Sequence, residues 1–543
     1  MRNKLCLPFV LSAPSRIITS FYVTILKIDM TNSSPKWEAA RCFGFILLSV
    51  IILPLSTSIV CLLCMRRILS NHNPEETPRN SSYAKSPKRT VLVTGVGMAK
   101  GLALARSFYL SGHRVIGADF ERAGIPCPGR YSRSLSAFYR LPEQDAKDNA
   151  KAYTKRLIDI IQIEVLDLWV SCSGVASAVE DAHAKELVER HTSCKCIQFD
   201  VEKTSILHDK GSFMEECKKL SLSVPETHEV KSKRDILRIL SASTTSTAER
   251  KFILKPIGVD DANRGNMTRL PLASKVETNK YVSQLPISEQ NPWILQQFIP
   301  GNEEYCTHAL IIQGEVKCFV ACPSAELLMH YRPLSQDSHL WQSMLAFTVE
   351  FVKRSSKFNP MTGHLSFDFM ASDRKSDHNQ FKDIYAIECN PRAHTAVVLF
   401  GQQNPEIEAM VQAYLTAVGI NSKETETDLI DGIGAPFSTV HTPVTPAADS
   451  KPRYWIGHNI VALLIHPILL WGIGSINFRS MLSSLLEFVS HLFSWKEGTF
   501  EVWDPLPAMV LYHVYWPMTI LSAWWHGKHW SRVNVSTTKM FMC

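Results

Sequence analysis

No internal repeat or low-complexity tract of functional weight runs through the 543 residues, which excludes a solenoid or a fibrous chain. No large block of like charge is present: 58 Lys and Arg stand against 51 Asp and Glu, a net +7 spread along the chain. That balance does not mark a nucleic-acid binder, although it permits an anionic substrate or a membrane surface. The 14 cysteines are scattered, unlike those of a disulfide-stapled secreted fold. Cys194-x-Cys196 and Cys318-x-x-x-Cys322 lack the paired spacing and partner histidines of a zinc site and read as ordinary thiols. What remains is an ordinary folded composition, 45% hydrophobic and 20% charged. At roughly 150 residues per domain the length suggests three or four domains.

The longest uncharged run near the N-terminus is 43–65, FGFILLSVIILPLSTSIVCLLCM, followed directly by Arg66-Arg67. As a helix it measures about 34 Å, enough to cross a bilayer core. It starts too deep and runs too long for a signal peptide, and a buried core helix is the competing reading. The expectation is a leader (1–42, with Met30 as an alternative start), a single-pass anchor (43–65) and a Ser/Asn/Pro-rich linker (66–88). The body then lies on the cytosolic side.

Residues 89–200 read as an α/β domain with a parallel sheet. Val91-Leu-Val is a strand, and Thr94-Gly-Val-Gly-Met-Ala-Lys-Gly101 is a turn at a helix start, where free N–H groups favour anions. The glycines fall as G-x-G-x-x-x-G, not as the dinucleotide spacing G-x-G-x-x-G. Asp119 ends the next strand and reads as a solvated turn residue rather than a ribose ligand.

The chemistry-bearing residues lie in 201–425. Asp368 sits on one apolar strand; Glu388 and Asn390, two apart, sit on the next and share a face. If the strands pair, three hard oxygen ligands converge, a set suited to Mg2+ beside phosphates. Arg392 follows, with a planar fork of donors for a transferring phosphoryl group. Lys255 lies between apolar residues of a short strand, where a buried ammonium calls for an anion, either phosphate or an internal carboxylate. Gln297, Phe298 and Ile299 form an edge for a purine, and Glu304 is placed to accept from ribose hydroxyls, with Glu303 one residue out of register.

Together these residues resemble the ATP-grasp superfamily. The resemblance implies an α/β domain ahead of an ATP-grasp fold, with ATP and Mg2+ (or Mn2+ in its place) as cofactors and an acid activated by phosphorylation before an amine is coupled. Lys210 and Lys255 match the family's phosphate-contacting positions. The loop after Lys255, Ile257 to Leu270, is polar where many members are glycine-rich.

Finer motifs are similar to the mycosporine-glycine synthases, ligases of mycosporine sunscreen biosynthesis. These are Pro292-Trp-Ile-Leu-Gln-Gln-Phe-Ile-Pro-Gly301, Cys306-Thr-His308, Ala386-Ile-Glu-Cys-Asn-Pro-Arg-Ala-His-Thr395, Arg264-x-Asn-x-Thr-x-Leu270 and Asp504-Pro-Leu-Pro507. The implied partners are a cyclohexenone, 4-deoxygadusol, and the amino acid glycine. Its enol behaves as a vinylogous acid, so ATP would phosphorylate the enol oxygen and the amine would displace phosphate. This resemblance assigns Arg392 to the phosphoryl group, Arg264 to phosphate or the amino-acid carboxylate, and His308 and His394 to the cyclohexenone or the amine proton. A homodimer is left open.

After a link (426–450), the region 451–543 carries two uncharged runs, 454–478 and 505–527, read as helices packed on the membrane surface or on the body rather than as spans. The competing readings are an ATP-grasp ligase acting on an ordinary carboxylic acid, a dinucleotide-dependent membrane oxidoreductase, and an inactive membrane scaffold.

Overall fold

The computed structural model describes residues 35–70, 87–143, 149–172, 174, 177–243, 250–257, 267–301, 303–324, 329–357, 359–373, 382–401, 405–419 and 442–542. The leader up to residue 34, most of both expected linkers and Arg264 lie outside this set.

Five strands form a parallel sheet: β1 (Thr90–Thr94), β2 (Arg114–Phe120), β3 (Ala137–Leu141), β4 (Leu168–Val170) and β5 (Lys195–Ile197), in the order β3-β2-β1-β4-β5. Both faces of the sheet are covered, so its central strand is a continuous apolar run. Val91 and Val93 pack beneath the helix Ala99–Leu110, while Leu92 faces the helices Asn149–Glu164 and Ala178–His191. Strand order reverses at β1, which opens a crevice over the carboxyl ends of β1 and β4.

Two antiparallel sheets follow. The smaller contains β6 (Thr227–Val230), β7 (Phe252–Pro256) and β8 (Trp293–Gln297), with β8 central. The larger contains β9 (Glu303–Ile312), β10 (Glu315–Pro323), β11 (Gly363–Asp373) and β12 (Lys382–Asn390), in the order β10-β9-β11-β12. One face of the larger sheet packs Tyr305, Phe367, Phe369, Ala386 and Cys389 against the helices Lys210–Lys219 and His339–Ser355. The other face joins the parallel-sheet unit through Cys306, Leu310, Val320 and Cys322, in one core with Val96, Ala99 and Phe108.

The uncharged N-terminal run lies inside the helix Pro35–Ser70, in which Ala39–Leu69 is long and apolar enough to cross a membrane by length and composition. This helix runs antiparallel to the C-terminal helical stretch 506–525. Phe43 meets Trp524 at 5.1 Å between ring centroids, and Ser49 Oγ donates to the Tyr512 carbonyl at 3.0 Å. Leu47, Ile51, Leu55 and Leu62 point outward.

The two C-terminal apolar runs are helical and pack on the body through Trp455, Leu511 and Trp516. Each contains a π-helical turn, at Ile460–Ile465 and Leu511–Tyr515, shortly before Pro467 and Pro517, whose missing N–H cannot continue an α-helical ladder. The chain closes with a hairpin, Trp530–Asn534 and Lys539–Met542, whose turn carries the fully buried Ser536.

Candidate active site

The inner face of the larger sheet carries the acidic groups because register puts them there. Asp368 on the central strand β11 stands opposite Glu388 of β12 on one side and Cys306 of β9 on the other. Glu304, two residues before Cys306, stands opposite Met370 on that same face. Glu303 points the other way with Tyr305, whose hydroxyl donates to it, so Glu304 and not Glu303 shares the face of Asp368. Ser324 Oγ donates to Glu304 Oε1 at 3.2 Å.

A β-bulge aims β12. Opposite partners run Asp368–Glu388 and then Phe369–Ala386, which leaves Ile387 as the extra residue. Ala386 therefore enters the apolar core while Glu388, two residues on, faces the site, an inversion strict alternation would forbid. Beyond the bulge alternation resumes: Cys389 is in the core, and Asn390 shares the face of Glu388.

Polar contacts hold these groups in separate sets on the site face. Lys210, in the first turn of its helix, places Nζ 3.5 Å from Glu388 Oε2. Asn390 Nδ2 donates to Asp368 Oδ2 at 3.2 Å, and Arg392 Nη2 donates to Asn390 Oδ1 at 2.7 Å. Lys255 arrives from β7, where its Nζ donates to Gln296 Oε1 at 2.9 Å. Burial and the Lys210 cation push Lys255 down to about 8, against the pull of Glu388, Glu304 and Asp368. Three cations thus face three carboxylates across two sheets.

The donor set fits a hard divalent cation. Asp368, Glu388 and Asn390 offer oxygen only, and their contacts with Lys210 and Arg392 show where positive charge is accommodated. Among the described residues no cluster of three His, Cys, Asp or Glu side chains stands ready for a metal. The set is two carboxylates and an amide, as suits Mg2+ that keeps waters and phosphate oxygens in its shell.

The purine edge is narrower than the sequence suggests. The Gln297 N–H donates to Glu226 O and the Phe298 N–H to Lys251 O, both at 2.7 Å, so the small sheet consumes both amides. The Arg269 guanidinium covers the Phe298 ring at 4.1 Å.

Both histidines use Nδ1 within the fold. His394 Nδ1 accepts from the Ala396 N–H at 3.2 Å, capping the 3-10 helix Thr395–Phe400. His308 Nδ1 accepts from the His394 N–H, also at 3.2 Å. By this geometry each neutral ring carries its proton on Nε2. Burial holds both near 3, helped for His394 by the Arg392 cation and for His308 by Lys100. With Nδ1 taken, each ring presents Nε2–H as a donor.

The glycine turn of the parallel-sheet unit is also corrected. The Gly97 N–H donates to Asp119 Oδ2 at 2.7 Å, Met98 N–H to Gly95 O, and Ala99 N–H to the Ser536 carbonyl at 2.8 Å. Asp119 is buried, not solvated, and burial raises its carboxyl. A Cβ at Gly97 would stand 2.9 Å from Asp119 Oδ2 and from Cys127 Sγ, so this glycine admits the protein's own carboxylate, not a phosphate. The dinucleotide reading loses both of its supports.

Sequence reading overlooked Lys100, second residue of the helix Ala99–Leu110 and only 2% exposed. Its Nζ donates to the Ala393 carbonyl at 2.8 Å, across 293 residues of chain. Burial and the Arg392 cation push it down to about 7. A single lysine in VTGVGMAKGLALA was the available signal.

No family model and no curated protein matches the chain. Among solved structures it is similar to an N5-carboxyaminoimidazole ribonucleotide synthetase in its ADP complex, at 14% identity, covering 57% of this chain and 72% of that one with a TM-score of 0.41. It is also similar to an L-amino acid ligase from Bacillus licheniformis, at 14% identity over 56% and 68% with a TM-score of 0.38. A third likeness is to the biotin carboxylase domain of Hydrogenobacter thermophilus 2-oxoglutarate carboxylase with MgADP, at 13% identity over 62% and 70% with a TM-score of 0.43.

Proposed function

We propose that this chain is an ADP-forming ligase of the ATP-grasp type, which phosphorylates an acid-like oxygen and then joins that carbon to an amine. One observation carries the reading. The Lys210–Glu388 pair and the Arg392–Asn390–Asp368 chain gather on a single sheet face, with Lys255 reaching that face from the facing sheet.

In this reading Lys210 and Lys255 hold the ATP phosphates, Glu304 accepts from the ribose, and the stretch Gln297 to Ile299 borders the purine. Asp368, Glu388 and Asn390 hold Mg2+, which when bound neutralises phosphate oxygens and orients the γ-phosphoryl group. Arg392 presents its guanidinium to the phosphoryl group as charge spreads over its oxygens. The acceptor oxygen attacks γ-phosphorus and the bond to the bridging oxygen breaks, releasing ADP. The amine nitrogen then adds to the activated carbon, the carbon–oxygen bond to phosphate breaks, and the nitrogen's proton leaves with the phosphate. The Nε2–H of His394 donates to the acceptor's oxygen and takes no proton. Arg264 is assigned to phosphate or the amino-acid carboxylate.

The acceptor we assign is 4-deoxygadusol and the amine glycine, on the sequence resemblance alone; mycosporine-glycine, ADP and phosphate are the products. The helix Pro35–Ser70 serves as the membrane anchor, with the body on the cytosolic side. The test is ADP release by the full chain with Mg-ATP and 4-deoxygadusol, with and without glycine. ADP formation that needs both, with a new ultraviolet-absorbing enaminone, is the expected result. Mg-ADP binding without turnover of this pair would overturn the acceptor and leave a carboxylic acid in its place. Absence of Mg-ADP binding would overturn the whole reading.

A further inference from the structure

The peptide plane between Ala393 and His394, one residue beyond Arg392, is pinned at both polar atoms. The Ala393 carbonyl accepts from Lys100 Nζ at 2.8 Å, and the His394 N–H donates to His308 Nδ1 at 3.2 Å. On the other side of Arg392, its own N–H donates to the Asn390 carbonyl at 2.8 Å, and its guanidinium meets Asn390 Oδ1. The backbone from which this arginine projects is therefore held on both flanks, and one of the holding groups comes from a different unit of the fold.

The helix start that carries Lys100 is itself held. The Ala99 N–H donates to the carbonyl of Ser536 in the C-terminal hairpin, and Ser536 Oγ lies 3.5 Å from Thr395 Oγ1. Residues 99 and 100 thus grip 393–395 twice, once directly and once through the hairpin turn. Burial brings Lys100 down to about 7, and Nζ carries N–H donors in either protonation state, so the tether to the Ala393 carbonyl persists across neutral pH.

We infer that Lys100 is a positioning residue for Arg392: the parallel-sheet unit sets the attitude of the phosphoryl-holding arginine through the Lys100–Ala393 hydrogen bond. This rests on the proposed function of Arg392. A misplacement of about 1 Å at a reacting group is worth on the order of a hundredfold in rate, so the loss should appear in kcat and not in nucleotide binding.

The experiment compares wild type with Lys100→Met in the full chain. Three quantities are read: Mg-ADP affinity by calorimetry, kcat and KM for ATP from ADP release, and amide hydrogen exchange across 391–396. The expected variant binds Mg-ADP and keeps its KM for ATP within twofold of wild type. It loses at least tenfold in kcat and exchanges faster at 391–396. Wild-type exchange and kcat would overturn the inference, as would a loss of Mg-ADP affinity matching the loss of kcat, since that is general damage. If Lys100→Met does not fold, Lys100→Gln decides, because it stays polar but is one atom shorter and falls short of the Ala393 carbonyl. A kcat reduced tenfold at wild-type Mg-ADP affinity supports the inference, and a wild-type kcat overturns it. Failure of wild type itself to bind Mg-ADP would instead fall on the functional reading.

Discussion

At the scale of single residues, Arg392 is the sharpest test of the proposed chemistry. Its fork meets Asn390 Oδ1, so it stands at one end of the Arg392–Asn390–Asp368 chain. Arg392→Ala should cost on the order of 10²–10³ in kcat, as removal of a transition-state donor does, with Mg-ADP affinity changed only a few-fold. Arg392→Lys should recover little, because a point charge does not reproduce the planar fork; steady-state ADP release checks both. Lys255 supplies a pH test. With its ammonium pushed down to about 8, it is mostly charged at neutral pH and discharges above 8. Phosphate favours the charged form, so Mg-ADP affinity should fall as pH rises from 7 to 9.5, with proton uptake on binding. Lys255→Gln should flatten that profile in calorimetry run in buffers of different ionisation enthalpy. Residue types were legible in the sequence here, and Asp368, Glu388, Asn390, Lys255 and Lys210 do come together. What the histidines do was not legible, because a ring's tautomer depends on which backbone N–H it faces.

At the scale of elements, the bulge at Ile387 decides whether β12 serves core and site at once. Upstream of it Ala386 faces the core; downstream Glu388 faces the acids. Deleting Ile387 makes Ala386 and Glu388 neighbours, so strict alternation itself keeps one in the core and the other on the site face. The deletion variant should fold and keep Mg-ADP affinity within about tenfold, read by calorimetry and circular dichroism. A hundredfold loss would show that the local twist the bulge gives β12, and not the choice of face, aims Glu388. Strand identity was readable from apolar runs, but the bulge was not, since nothing in Tyr-Ala-Ile-Glu-Cys-Asn marks which residue lacks an opposite partner. The uncharged N-terminal run announced a helix. That it lies along 506–525, with Arg41 over the Trp530 ring at 4.0 Å, is a tertiary fact.

At the scale of the whole molecule, the C-terminal region is a brace for the parallel-sheet unit. Asp504 is completely buried, pairs with Arg106 Nε at 2.9 Å, and accepts from Ser132 Oγ at 2.6 Å and the Arg133 N–H at 3.0 Å. Arg106 also donates to the carbonyls of Thr499 and Asp504. Removing one partner leaves a buried charge, so Asp504→Ala should destabilise the fold by about 3–5 kcal/mol. The double variant Arg106→Met/Asp504→Leu should cost clearly less than Asp504→Ala, because no charge is stranded; urea unfolding of the full chain measures both. The motif Asp504-Pro-Leu-Pro stood out in the sequence only by resemblance. Its work is structural, and its partner lies 398 residues away.

The sequence by itself determined the periodic and local features. These are the parallel-sheet strands, the long apolar helix, the polar identity of the site and the shared face of Glu388 and Asn390, all of which follow from alternation and composition over a few residues. Tertiary structure alone decided which carboxylate of Glu303 and Glu304 faces the site, that the glycine turn holds Asp119 rather than a ligand, and that Lys100 and Ser536 reach the loop after Arg392. The physical reason is range. Alternation and helical spacing act within a turn or a strand, whereas a hydrogen bond spanning 293 residues exists only after the cores of two units have packed together.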